Sequence, residues 1–224
     1  MDIKISEIIA NFYLTQTNTL VEKINSLNGD IILIAGDLVD SDLNPVKEKD
    51  MLDSLKDIKS KYGTYLSLGN HDFYTGEAEE LENMLSKVNV NVLRDEITLI
   101  NDSFYLIGRD DTTVKRYNGE RDSLNVIKNS INNFNADKPV IVIDHNPQYL
   151  NESINNNIDL QVSGHTHKGQ ISPINLITDI LFDIDYGLGK FQNTSVVVTS
   201  GFGTWGPPIR IGSSSEIVMI KLHN

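Results

Sequence analysis

Residues 163–170 read SGHTHKGQ, which sets two imidazoles, His165 and His167, two positions apart behind a glycine. Three other short motifs carry chemically able side chains. GDLVD brings Asp37 and Asp40, GNHD brings Asn70, His71 and Asp72, and DHNP brings His145. Four of the five histidines fall in these motifs, and His223 sits beside the C-terminal residue. Singly, each motif has a bland reading. Gly-Asp is ordinary turn chemistry, GNHD could be a turn with a capping aspartate, and HTH could be a surface loop. Together they offer imidazole nitrogens, carboxylates and an amide oxygen without sulfur, a set suited to Mn, Fe, Co, Ni or Zn. These donors outnumber one tetrahedral site, and paired ions ~3.5–4 Å apart are a known device for phosphoryl displacement.

Such residues need elements that bring them to one place. DIILIAGD (30–37), GTYLSLGN (63–70), FYLIGRD (104–110), KPVIVIDH (138–145), IDLQVSGH (158–165), SVVVTSG (195–201) and EIVMIKL (216–222) read as short buried strands ending in turn chemistry. Each of the four motifs follows such a strand, and the carboxyl ends of strands in α/β sheets are where ligands collect. Between the strands run amphipathic helical stripes: Leu20, Ile24 and Leu27; Met51, Leu55, Ile58 and Tyr62; Leu81, Met84, Leu85 and Val88; and Leu124, Ile127, Ile131 and Phe134. These are core-packing faces. Strand–helix alternation early and strands with little helix later predict an α/β half joined to a more sheet-rich half. The asparagine-rich NSINNFN and NESINNN read as helix ends and turns, and 1–224 reads as one domain without repeats.

Composition narrows the function. A chain of 224 residues with 39% apolar content can bury a sizeable core. A net charge of −12 argues against a nucleic-acid groove or an anionic membrane surface, both of which call for basic patches. With no cysteine, disulfides and thiolate metal sites are excluded. No apolar run approaches the ~20 residues that span a bilayer. No signal peptide precedes the first helix, so the chain as written is expected to be cytoplasmic. An anchor or export signal ahead of it would make it membrane-associated or exported. An anionic substrate would need a local positive centre against this field, which two divalent ions would supply.

The order GDxxD, GNHD, HxP, GHTH resembles the calcineurin-like metallophosphoesterase superfamily. GHTHKGQI and the tail GFGTWGPPIRIGSSSEIVMIKL (201–222) resemble its YkuE-like bacterial branch. The resemblance implies a four-layer αββα sandwich of two mixed sheets flanked by helices, with a dinuclear metal centre. By position, Asp37 would bridge the metals, Asn70, His145 and His165 would complete one, and His167 would serve the other. His71 would face the substrate, oriented by Asp40. A hydroxide between the ions would attack phosphorus in line, and Mn2+ is the favoured ion. The family opens with a strand followed by D-x-H, both residues of which bind the first metal. Here the chain begins MDIKIS, so Asp2 and Lys4 take those places and the preceding strand is missing.

The substrate expected is a phosphomonoester or phosphodiester of small-molecule or lipid type. Protein serine/threonine phosphatases of this fold carry an arginine right after GDxxD, where Ser41 and Asp42 stand in this chain. Arg109 and Arg210 are candidate substrate contacts, with surface salt bridges as the alternative. Phe202 and Trp205 are candidates for a pocket wall or for packing. The competing function is a metal-impaired pseudoenzyme that binds a phosphorylated ligand without turnover. Oligomeric state stays open.

Overall fold

The computed structural model describes residues 3–8, 17–206 and 208–223. Its first sheet holds β1 (Ile3–Ile8), β2 (Ile31–Ala35), β3 (Thr64–Ser67) and β4 (Val90–Val92). The second holds β5 (Glu96–Ile100), β6 (Phe104–Gly108), β7 (Val140–Ile143), β8 (Leu160–Ser163), β9 (Gly187–Phe191) and β10 (Thr194–Val198). β11 (Val218–Leu222) returns to the first sheet. The strand orders are β11-β1-β2-β3-β4 and β5-β6-β7-β8-β10-β9. Both sheets are mixed, with parallel interiors and the antiparallel strands β11, β5 and β9 at their edges.

Both faces of the inner strands are covered, which is why they read as unbroken apolar runs rather than alternating ones. From β2, Ile31 and Leu33 point between the sheets and meet Leu106, Ile141, Ile143 and Val162. The intervening Ile32 and Ile34 point outward, onto Leu20 and Ile24 of α1 (Thr17–Leu27). The short α2 (Asn44–Glu48) and α3 (Asn70–Tyr74) follow β2 and β3, and α4 (Ala78–Lys87) adds Leu81 and Leu85 to the same outer layer. On the far face of the second sheet, Tyr105, Ile107, Val140 and Val142 pack on Leu124 and Ile127 of α5 (Leu124–Ser130). Helix, sheet, sheet and helix make four layers. α6 (Leu150–Asn155) and α7 (Asn175–Leu181) follow later strands. Among the described residues no helix is long and apolar enough to cross a membrane.

The chain's beginning corrects an expectation. The strand read as missing is present: β1 runs parallel to β2, with Ile5 opposite Ile31 and Ile8 opposite Ile34, and antiparallel to β11. The period of two explains it, since Ile3 and Ile5 are buried between the sheets while Lys4 is exposed. Lys4 donates its backbone N–H to Asp30 Oδ2 at 3.0 Å, where β2 is about to begin. That is the end of the sheet opposite Asp37, so Lys4 does not stand where the family's imidazole stands. Asp2 lies outside the described residues. The stripe from Met51 to Tyr62 also differs: only Asp53–Asp57 coils, as a 3-10 turn.

Candidate metal centre

Because β1, β2 and β3 run parallel, as do β6, β7 and β8, their carboxyl ends lie along one edge of each sheet. The motif residues follow β2, β3, β7 and β8, and the loops fold them inward to one point. Gly36 (φ +76°) and Asp37 (φ +52°) turn the chain sharply after β2. A Cβ at Gly36 would stand 2.6 Å from Gly69 N and 2.7 Å from His145 Nδ1, so only glycine lets these loops approach. Asp72, fully buried, ties the same loops by accepting from Val39 N and Gly69 N, each at 2.9 Å. In the GHTHKGQ loop His165, His167, Lys168 and Gln170 all have positive φ. Such strain in non-glycine residues persists where the surroundings hold it, often at a functional site.

Four donors converge. His145, wholly buried, donates from Nδ1 to Ala35 O at 2.6 Å, which turns Nε2 inward. Around Nε2 lie Asp37 Oδ2 at 3.1 Å, Asn70 Oδ1 at 3.2 Å and His165 Nδ1 at 3.2 Å. His165 Nδ1 also lies 2.8 Å from Asn70 Oδ1. The ligand atoms of Asp37, His145 and His165 all lie within 4.8 Å of one another. A single ring proton cannot serve all these contacts, whereas a cation at their centre satisfies every lone pair. The donor set therefore fits a borderline divalent ion.

Without a metal, protons take up the strain. Burial would lower the His145 value, but the Asp37 carboxylate outweighs it and holds it up at about 9. Burial would raise Asp37, yet the His145 cation holds it well below the usual carboxylate range. Burial, aided by the His145 charge, pushes His165 down to about 4, and burial pushes His167 down to about 3. Both imidazoles are thus kept neutral, the form that ligates. Burial and the Asp37 charge raise Asp72 to about 7.

A cavity of about 270 Å³ opens beside the cluster, lined by Asp37, His71, His165, His167, Phe182 and Trp205, among others. His167 is buried, and its Nδ1 has no hydrogen-bond partner among the described residues. His71 Nδ1 lies 2.8 Å from both Asp40 O and Asp40 Oδ1, and its backbone N–H donates to Asp37 Oδ1 at 2.9 Å. The residues expected after β2, β3, β7 and β8 thus all reach one place.

The two arginines do not. Arg109 is 1% exposed and is consumed by Asp95 at 2.9 Å, Glu152 at 3.1 Å and the carbonyl of Asp122 at 2.6 Å. Arg210 clamps carbonyls instead, donating from Nη2 to Ser200 O and Gly203 O at 2.6 Å and from Nη1 to His167 O at 3.4 Å. Both guanidinium groups are thus held by protein partners, and neither is among the side chains lining the cavity. Phe202 is buried in the outer core, whereas Trp205 lines the cavity. The capping aspartate that GNHD offered is Asp72, while no sign in the sequence marked the bracing of Trp205 by Gln170 or the place of Phe182. Gln170 Nε2 donates to Trp205 O, and its Oε1 accepts from Trp205 N, each at 2.9 Å.

Residues 5–169 match the calcineurin-like phosphoesterase family. The chain belongs to that family. An uncharacterized metallophosphoesterase of Helicobacter pylori is 34% identical over 205 residues, covering 91% of this chain and 54% of that protein. A zebrafish (Danio rerio) transmembrane protein with metallophosphoesterase domain is 31% identical over 214 residues, covering 91% and 48%. An uncharacterized metallophosphoesterase of Aquifex aeolicus is 34% identical over 198 residues, covering 86% and 72%. The chain spans about half the length of the first two relatives. Among solved structures, the Thermus thermophilus protein TT1561 has TM-score 0.54 at 13% identity, covering 91% of this chain and 92% of its own, a likeness of fold alone. The family uses divalent metal ions, and the cluster around His145 is a candidate site for one.

Membership sharpens the anomaly at the front. β1 does end on the side of the metal donors, but from Ile8 to Val21 the sequence has neither carboxylate nor imidazole. Glu7, the next-to-last residue of β1, is the carboxylate nearest that end of the strand.

Proposed function

We propose that this chain is a metal-dependent phosphoesterase acting on a phosphomonoester or phosphodiester. The observation carrying this reading is the convergence of Asp37, Asn70, His145 and His165 on one point in the wall of the cavity that His71 also lines. These four residues would hold the tight ion, and Asp37 with His167 would hold a second, weaker one. When bound, such ions supply a nucleophile near neutral pH and neutralise charge on the phosphoryl oxygens. Asp40 fixes the His71 ring through Nδ1, which leaves Nε2 to hand a proton to the leaving oxygen. Trp205, braced by Gln170, and Phe182 form apolar walls that orient the ester and limit water. Manganese is the favoured ion, and all of 1–224 serves as one catalytic domain.

A second reading, a binder of phosphorylated ligands without turnover, is favoured by the lack of any histidine in the sequence between β1 and α1, where the family's D-x-H imidazole would stand. Metal content per chain, measured beside hydrolysis of bis(p-nitrophenyl) phosphate with added Mn2+, separates the two. Turnover that rises with Mn2+ beyond the first equivalent supports the phosphoesterase. One tightly held metal with no turnover at any Mn2+ concentration supports the binder.

A further inference from the structure

Helix α7 has no buried residue, although four of its seven residues are large aliphatics. Within the run INLITDILF (174–182) the only charge is Asp179. Ile174, Thr178 and Phe182, spaced by four, line the metal-side cavity. The remaining apolar side chains point elsewhere: Leu176 is 60% exposed, Ile177 55%, Ile180 83% and Leu181 67%. Together with Ile174 they leave on the order of 600 Å² open, the size of patch that marks an interaction site. A helix apolar on its outer as well as its inner face has an apolar partner outside.

Position says which partner. The patch is not a remote face; it begins at the cavity wall and runs outward from it through Ile174 and Phe182. Trp205, on the same wall, is 45% exposed and is held by two hydrogen bonds to Gln170. A Cβ at Gly169 would stand 2.3 Å from Asn175 N, so the metal-donor loop and the start of α7 are packed backbone to backbone. A ligand with its phosphoryl group among the histidines would extend over this lip whatever it carries next.

We propose that the substrate is an amphiphilic phosphoester, with its phosphoryl group in the cavity and its hydrocarbon chain along the outer face of α7. This rests on the phosphoesterase reading for the headgroup, and α7 adds the class of the tail. The chain's net charge of −12 gives an anionic bilayer no overall attraction, so the hydrocarbon provides it.

The test uses alkylphosphonates, which bind without being hydrolysed, titrated calorimetrically in Mn2+ from the methyl to the decyl compound, below micelle formation. Full burial of a methylene is worth about fourfold in affinity, and a lip covering one side gives about twofold per methylene. Wild type is expected to show that gain with chain length, and the double variant Leu176→Ser, Ile180→Ser is expected to lose most of it. Both side chains are exposed, so the variant folds, and its own methylphosphonate affinity is the reference. Methylphosphonate binding without a chain-length gain overturns the proposal and spares the phosphoesterase reading. Failure of every phosphonate to bind overturns both. An equal gain in wild type and variant puts the chain elsewhere and overturns the proposal. So does a wild-type dimer, seen by light scattering, that the variant breaks without altering the gain.

Discussion

Replacing Asp37 by asparagine isolates one charge while keeping the shape. The side-chain oxygen still accepts from His71 N, now 2.9 Å from Oδ1. The new amide donates toward His145 Nε2, now 3.1 Å from Oδ2. With the carboxylate gone, burial leaves His145 neutral, so the metal-free fold is retained. The ion loses the only carboxylate of its cluster among the described residues. Removing one partner of a buried charge pair costs about 3–5 kcal/mol, which is about 10²–10³-fold or more in affinity. Thermal melts with and without Mn2+ read this directly. At about 100 times its Kd the ion stabilises wild type by about 2.7 kcal/mol. For a chain of this size that raises Tm by roughly 5–10 °C. At the same concentration Asp37→Asn is expected to rise by about 1 °C or less. An equal rise in both proteins would refute the assignment of Asp37 as a ligand.

Changing His71 to alanine is expected to lower turnover about 10²–10⁴-fold with metal content unchanged; loss of metal would make His71 a ligand. Arg109→Leu leaves Asp95 and Glu152 unpaired and is expected to cost about 3 kcal/mol in denaturant melts. KM for a soluble ester should hold, and a raised KM at full stability would return Arg109 to the substrate. The third expectation concerns pH. The folded value of His145, about 9, lies above its ordinary 6.5, so its pairing with Asp37 stabilises metal-free protein fully below pH 6.5 and is lost as pH rises through about 9. Mn2+ must displace that proton, so its apparent affinity runs the other way and rises about tenfold per pH unit up to about pH 9. Calorimetry in buffers of different ionisation enthalpy should find close to one proton released near neutral pH, and none released would contradict the His145 assignment.

Much of this was legible because the inner strands carry apolar runs that end in motif residues. Asp37, Asn70, His145, His165 and His167 needed only their strands to be recognised. β1 was misread because its two buried isoleucines, Ile3 and Ile5, are few, and its charged Lys4 sits within a motif-like DIKIS. The edge strands β5 and β9 leave apolar residues such as Leu99 and Leu188 exposed and carry too little apolar signal. Arg109 could not be placed from sequence, since its partners Asp95 and Glu152 lie 14 and 43 residues away. The same holds for Gln170 and Trp205, brought together across 35 residues. α7 was passed over because a short apolar run looks the same whether buried or exposed.

Asp37, Asn70, His145 and His165 are expected to surround a divalent cation. Anomalous diffraction from a crystal equilibrated with Mn2+, collected on both sides of the manganese edge, tests this most directly. A strong manganese peak is expected at the centre of those four side chains, with a weaker one between Asp37 and His167 as Mn2+ is raised. No peak among the four at a concentration that supports turnover, or a stronger peak elsewhere, would contradict it.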